Sequence, residues 1–341
     1  EGLLGDDNSY GGDDEIFFFS GGPISNLSIK SIIAGPSLKR YVARQPDSKS
    51  LPKNTKSISP ISGQIELGPK PPKLRWSKQE WQSSVGWHDI GELSGEDIED
   101  CGTFFNTELP ELSETQKESN EFLPGQYCVA FAYDLVQWTQ PWHLMNPPKE
   151  SSLLGVLWQI DRWIIHDREK KELEIIGIEG DEWLNRVSYV ISNVLENKDE
   201  KISWPIQHKQ PMNVEEQSNH TDLSHEKTVD LVKKAIKAGE LYQLNFGRKW
   251  FGNLTEEPWE VMLRLLSTNP APWSNWLSAP DLNLAICSSS PELLLSAQDG
   301  KVSTRPIKGT KPRGHTPSED LNNLRELLSS VKERAEHLML A

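Results

Sequence analysis

KVSTRPIKGTKPRGH, residues 301–315, holds five basic side chains (Lys301, Arg305, Lys308, Lys311 and Arg313) and no acid. The chain around it is acidic: 341 residues with 36 Lys and Arg against 50 Asp and Glu, a net charge of −14. Such a surface disfavours nonspecific binding to nucleic acid or to an anionic membrane. An anionic small molecule is therefore expected only at a local basic exception, and this run is one. Gly309 and Gly314 let backbone approach a neighbour closely, and Thr310 offers a hydroxyl. The alternative is a solvated basic loop. Upstream, residues 284–287 and 293–296 read as strands, with a hairpin turn at Asp299-Gly300. Downstream, Thr316-Pro317-Ser318-Glu319 has capping-box spacing with Pro at the first helical position. Leu321, Leu324, Leu328, Val331, Ala335 and Leu338 follow at intervals of three and four, predicting one long helix with a core stripe.

Further out, residues 16–34 read as strand, turn and strand around Ser20-Gly21-Gly22-Pro23. Residues 44–73 and 106–121 are polar and read as loops. Residues 124–138 are a strand passing into another element, and 153–166 with 173–178 a strand pair. A helix carrying Trp183, Val187, Val190, Ile191 and Val194 follows. The polar stretch 196–222 is the expected linker between an N-terminal region (1–195) and a second region (223–341). There Val229, Val232, Ala235 and Ile236 mark a helix closed by Gly239, residues 241–251 read as a strand, and Pro258 opens a helix with Trp259, Leu263 and Leu266. Three scattered cysteines and no apolar run of the roughly 20 residues that span a bilayer predict a soluble cytoplasmic protein.

Three side chains invite chemistry. Lys308, among other cations, is a candidate amine nucleophile, since like charge and burial favour the neutral amine; the alternative is a surface lysine in an ion pair. Glu292, between Pro291 and three leucines, is a candidate general acid if the strand start is buried; otherwise it is solvated. Glu336 offers an oxygen ligand to a hard cation such as Mg²⁺, or belongs to an ordinary charged helix face. A Walker loop, a GxGxxG and a GxSxG elbow are all missing from the sequence.

Five strings in order, AGELYQLN (238–245), NPAPW (269–273), SSSPE (288–292), TRPIKGTKPRG (304–314) and KERAEHLM (332–339), resemble the chorismate-utilising enzymes, which include anthranilate synthase component I. Lys308, where anthranilate, isochorismate and salicylate synthases usually have Ala, resembles the aminodeoxychorismate synthase branch. The resemblance implies an α+β fold: a two-layer β-sandwich core flanked by helices, with both halves contributing strands.

It also implies the chemistry. Lys308 would attack chorismate, Glu292 would protonate the departing hydroxyl, and Gly309, Thr310 and Arg305 would bind substrate. Glu336 would be one Mg²⁺ ligand, and a glutamine amidotransferase subunit would supply ammonia. A pocket for L-tryptophan would lie at Ser20, Asn26, Leu27, Ser28 and Ile29, facing Pro272, Trp273 and Ser274, although Phe19 replaces a residue that is polar in many relatives. The family's sequence continues past Met339, so the chain is expected to hold only the first part of the catalytic domain and to be inactive alone. Anthranilate synthesis, or a noncatalytic role binding tryptophan or a partner, are the competing readings.

Overall fold

The computed structural model describes residues 10–46, 74–95, 127–139, 148–177, 180–196, 217–218, 221–254, 256–298 and 300–341. The polar stretches 47–73 and 106–121 lie outside the described residues. The chain divides into two compact units, residues 1–202 with 269–341, and residues 203–268.

The first unit is built from two antiparallel sheets. β1 (Glu15–Phe19) and β2 (Lys30–Ala34) form the expected strand, turn and strand. β8 (Trp163–Asp167) and β9 (Glu172–Ile176) extend that sheet on one side. β12 (Trp273–Ala279) and β13 (Leu284–Ser290) extend it on the other, giving the order β13-β12-β1-β2-β8-β9. β3 (Lys39–Arg44), β4 (Leu74–Gln82), β5 (Gly86–Gly95), β6 (Tyr127–Phe131) and β7 (Leu153–Gln159) make the second sheet, ordered β5-β4-β3-β7-β6. The α+β sandwich expected from the resemblance is thus present, with strands from both halves of the chain.

Side chains from the two sheets meet in one core, where Ile16 and Leu277 from the first pack with Val42, Val156 and Trp158 from the second. Each such buried side chain contributes about 1.5–3 kcal/mol. On the second sheet's other face, Tyr41, Trp76 and Leu157 cluster with Trp138 of α1 (Val136–Thr139). β7 is covered on both faces, which is why LLGVLW reads as an unbroken apolar run. α2 (Glu182–Glu196) buries Trp183 and Val187 against Ile164.

Four sequence expectations are corrected. Residues 153–166 are two strands in different sheets, joined by a corner at Ile160-Asp161-Arg162; continuous hydrophobicity does not reveal a change of sheet. In the second unit α3 (Asp222–Ala238) ends at Gly239 as expected. Of residues 241–251, however, only β11 (Trp250–Phe251) is strand, paired with β10 (Gln217–Ser218). α4 (Pro258–Thr268) opens at Pro258 as expected and buries Met262 and Leu266. The long C-terminal helix is two helices, α5 (Pro317–Ser329) and α6 (Val331–Leu340). Ser330 is extended, and its hydroxyl accepts from the Glu333 N–H at 3.3 Å. Ser330-x-x-Glu333 is itself a capping-box signal. The leucine stripe meets no core among the described residues: Val331 is 80% exposed and Leu338 77%.

One charged group sits inside the sandwich. Arg40 of β3 is fully buried and donates to both carboxylate oxygens of Asp14 at 2.8 and 3.1 Å. It also donates to Asp281, just past β12, and through Nε to Gln79 at 2.8 Å, while its guanidinium stacks 4.2 Å over Trp87. The Trp158 indole donates to Asp14 as well. Two carboxylates therefore share one buried cation, Asp14 inside with it and Asp281 at the exposed edge. Burial outweighs the pull of Arg40, and the Asp14 carboxyl is pushed up to about 6.

Because the folded value is raised above the ordinary one, this group's contribution to stability is fully present below about pH 4 and is lost as pH rises through about 6. Asp14→Asn is expected to flatten that slope. The check is the denaturant midpoint of both proteins at pH 4.5 and 7, where the parent should lose more stability than the variant between the two.

Candidate functional site

The basic run begins on a hairpin. β14 (Leu293–Gln298) and β15 (Lys301–Arg305) pair antiparallel around a turn in which Gly300 has a φ of 71°. The register sets Leu293 opposite Arg305, so the residue before β14 meets the residues after β15. Glu292 is that residue. Its Oε1 accepts from the Ile307 N–H at 2.9 Å, and its own backbone is held by the Ser290 hydroxyl. Two of the three residues singled out for chemistry, Glu292 and Lys308, thus come to one open end of one hairpin. Lys308 is half-buried, while Glu292 is exposed, so the buried strand start that its acid role presumed is not found. The leucines that suggested burial explain why: Leu294 is 87% exposed and Leu295 61%, each strand of the hairpin having one partner strand among the described residues.

After Lys308 the chain turns. Gly309 has a φ of 86°, and a Cβ there would lie 2.9 Å from Leu327 Cδ1 and 3.1 Å from Glu333 Oε2. Its closeness is to α5 and α6, not to open space. Gly314 is tighter still, since a Cβ would lie 2.1 Å from the Asp320 backbone nitrogen. Lys311 pairs with Glu326 at 2.9 Å and Arg313 with Asp320 at 2.6 Å. Among the described residues no carboxylate pairs with Lys301, Arg305 or Lys308. Arg305 and Thr310 are exposed.

Glu333 is a member of this site that the sequence reading passed over as part of a charged face. It is three residues before Glu336 on α6, hence on the same side of the helix, and that spacing was its signal. Glu336 is half-buried and lies 3.7 Å from Lys332 Nζ. Among the described residues no group of three or more His, Cys, Asp or Glu side chains is arranged to hold a metal ion. Glu336 by itself is one half-buried carboxylate, not a metal site.

Of the residues proposed for a tryptophan pocket, Ser20, Pro272, Trp273 and Ser274 lie at the ends of the paired strands β1 and β12, whereas Asn26, Leu27, Ser28 and Ile29 belong to the connection between β1 and β2, where Arg168 donates to the Ser28 and Ile29 carbonyls. Phe19 is paired with Ser274, and the Gly21 N–H donates to Ala271 O at 2.9 Å. Ser20, Ser28 and Ser274 are buried, and each hydroxyl donates to a backbone carbonyl, those of Lys30, Pro23 and Ala271. Leu27, Ile29, Pro272 and Trp273 are half-buried, and Asn26 is exposed. No helix among the described residues is long and apolar enough to cross a membrane.

Residues 71–341 match the family model described as chorismate binding enzyme. The chain is 29% identical over 255 residues to anthranilate synthase component 1 of Aquifex aeolicus, covering 70% of this chain and 51% of that protein. It is 38% identical over 120 residues to aminodeoxychorismate synthase component 1 of Bacillus subtilis, covering 35% of this chain and 25% of that protein. It thus spans about half the length of the first of these relatives, and the aligned part is a quarter of the second. The fold resembles the crystal structure of anthranilate synthase component I from Streptococcus pneumoniae, with a TM-score of 0.59 at 16% identity over 94% of this chain and 61% of that one.

The two glycines make a graded test. Gly314→Ala drives a Cβ into backbone, which has nowhere to go, whereas Gly309→Ala meets the movable ends of Leu327 and Glu333 but forces a left-handed alanine, about 1–2 kcal/mol. Denaturant unfolding and amide exchange over residues 307–316 should show the larger disturbance for Gly314→Ala.

Proposed function

Since the chain belongs to the chorismate-binding enzyme family, we propose that it carries the chorismate-aminating chemistry of an aminodeoxychorismate synthase, with Lys308 as nucleophile and Glu292 as general acid. The observation that carries this reading is the Glu292 carboxylate bonded to the Ile307 N–H at 2.9 Å, one residue from Lys308. Lys308 itself is the second support, as the residue type of that branch at this motif position.

In this proposal the neutral Lys308 amine attacks ring carbon 2 of chorismate and the ring double bond shifts. The carbon 4–oxygen bond breaks as Glu292 gives a proton to the departing hydroxyl, which leaves as water. Ammonia then attacks carbon 4, the double bond shifts back and Lys308 is expelled with its electron pair. The proton released from the new amine restores Glu292, and 4-amino-4-deoxychorismate results. Glu292 is exposed in the free chain, so the acid role asks the bound ring to shield it from water. Arg305, at the open end of the hairpin, complements a substrate carboxylate, beside Gly309 and Thr310. A partner amidotransferase supplies the ammonia from glutamine, L-tryptophan is the ligand proposed for the β1–β12 seam, and a cytoplasmic location fits the sparse cysteines. Glu336 is the proposed contribution to a Mg²⁺ site, and no step here runs through the metal.

A second reading, anthranilate synthesis, is favoured by the longer alignment with a relative of that name, 255 residues against 120. Its product fluoresces and forms with release of pyruvate, whereas aminodeoxychorismate does neither.

In the complete polypeptide with chorismate and ammonia, Lys308→Ala is expected to lower amination by at least about a hundredfold. Mass spectrometry of the parent given chorismate without ammonia should find the adduct on Lys308. Undiminished amination by the variant, or an adduct on another residue, overturns the proposal.

A further inference from the structure

Residues 309–315 and helix α5 run antiparallel and are joined rung by rung. The His315 N–H donates to Glu319 Oε2 at 2.9 Å. The Gly314 N–H donates to Asp320 Oδ1 at 2.9 Å, and the Arg313 guanidinium donates to both oxygens of the same carboxylate at 2.8 and 2.6 Å. Asn323 Nδ2 donates to the Pro312 carbonyl at 3.0 Å, and Lys311 Nζ donates to Glu326 Oε2 at 2.9 Å. Gly309 closes the row against Leu327. As the loop number falls from 315 to 309, the helix number climbs from 319 to 327. Asp320, Asn323, Leu327 and Ser330 are the half-buried face of α5, while Leu321, Leu324 and Leu328 are exposed. The helix face that carries this loop is therefore its polar one.

We propose that α5 is the positioning element for Lys308: Asp320, Asn323 and Glu326 are positioning residues that clamp the loop bearing the nucleophile, and Arg313 and Lys311 serve the clamp rather than an anionic substrate. This rests on reading Lys308 as the nucleophile. It divides the basic run by function. Arg305 and Lys308 remain for an anion at the open end of the hairpin, Lys301 standing at its closed end beside Gly300, while the two cations nearest α5 are neutralised by it.

An exposed ion pair alone contributes little. Here one carboxylate accepts from a guanidinium twice and from a backbone N–H, which fixes direction as well as distance. The Arg313 guanidinium and the Gly314 N–H hold the Asp320 carboxyl down at about 2. A depressed group keeps its contribution above the ordinary carboxylate value and loses it only as pH falls toward 2, so the clamp is intact throughout the neutral range. Placement errors of about 1 Å at a reacting group lower rates by about a hundredfold, so such a clamp acts on turnover more than on affinity.

The test uses Asp320→Ala, Asp320→Asn and Arg313→Ala. Amide hydrogen exchange on the chain should show Gly314 and His315 exchanging about tenfold faster or more in Asp320→Ala, with residues 324–328 unchanged. In the complete polypeptide given chorismate and ammonia, Asp320→Ala and Arg313→Ala should lower kcat by about ten- to a hundredfold with KM within about twofold of the parent. Asp320→Asn, which keeps an acceptor for the Gly314 N–H, should fall between. Unchanged exchange at Gly314 overturns the clamp. A raised KM with unchanged kcat in Arg313→Ala also overturns it, since that is the mark of a substrate-binding cation. If the parent fails to aminate chorismate, the reading of Lys308 fails instead, and the exchange measurement alone decides the clamp.

Discussion

A buried guanidinium joins the two sheets of the sandwich. Arg40 leaves β3 of one sheet and meets Asp14, ahead of β1, and Asp281, just past β12, both at the ends of strands of the other sheet. Asp281 is separated from Arg40 by 241 residues of chain, so this contact forms only once the later part of the chain has returned to the first sheet. A buried cation left without its carboxylates is strongly unfavourable, so the cluster makes the join all-or-none. The apolar core provides most of the attraction between the sheets, and the ion cluster adds direction to it, because oil-like packing tolerates many arrangements and a forked guanidinium tolerates few.

From that join the site follows by strand geometry. β12 and β13 are anchored in the first sheet, and the chain leaves β13 through Pro291 and Glu292 into a two-stranded hairpin. Hairpin register then brings Glu292 to Ile307, and the left-handed Gly309 turns the chain along α5. The basic run is thus a tethered structure rather than a solvated loop, and its charges are sorted: two are paired with α5, and three are without a described carboxylate partner. The seam residues behave differently. Their hydroxyls close backbone turns, which places Ser20 and Ser274 together through sheet pairing and gives each of them a packing role in its own right.

Much of this was written locally. The hairpin turn at 299–300 lies nearly midway between Glu292 and residues 307–308, so pairing arithmetic alone brings them together. Thr316 and Glu319 announce the start of α5, and their capping geometry is as expected, with the Glu319 N–H donating to Thr316 Oγ1 at 3.2 Å. The failures have a common cause. The leucine stripe of α5 and α6 and the leucines of β14 announce that these faces are apolar, but periodicity carries no information about what covers them. The buried alternative for Glu292 rests on that apolar signal alone, as does the core expected for Val331 and Leu338. The split at Ser330 was legible as a second capping box, yet it was overridden by an unbroken apolar rhythm.

The sequence by itself determined the local pieces: strand, turn and cap chemistry, the basic exception in an acidic chain, and the motif order that marks the family. These depend on neighbours a few residues apart, where steric and hydrogen-bonding preferences are set by side-chain type. Tertiary structure alone decided that residues 153–166 serve two sheets, that Arg40 is shared between Asp14 and Asp281, and that the polar rather than the leucine face of α5 carries the loop. Each of those depends on which distant surfaces come into contact, and contact between distant surfaces is settled by the packing of the whole sandwich rather than by any stretch of its chain.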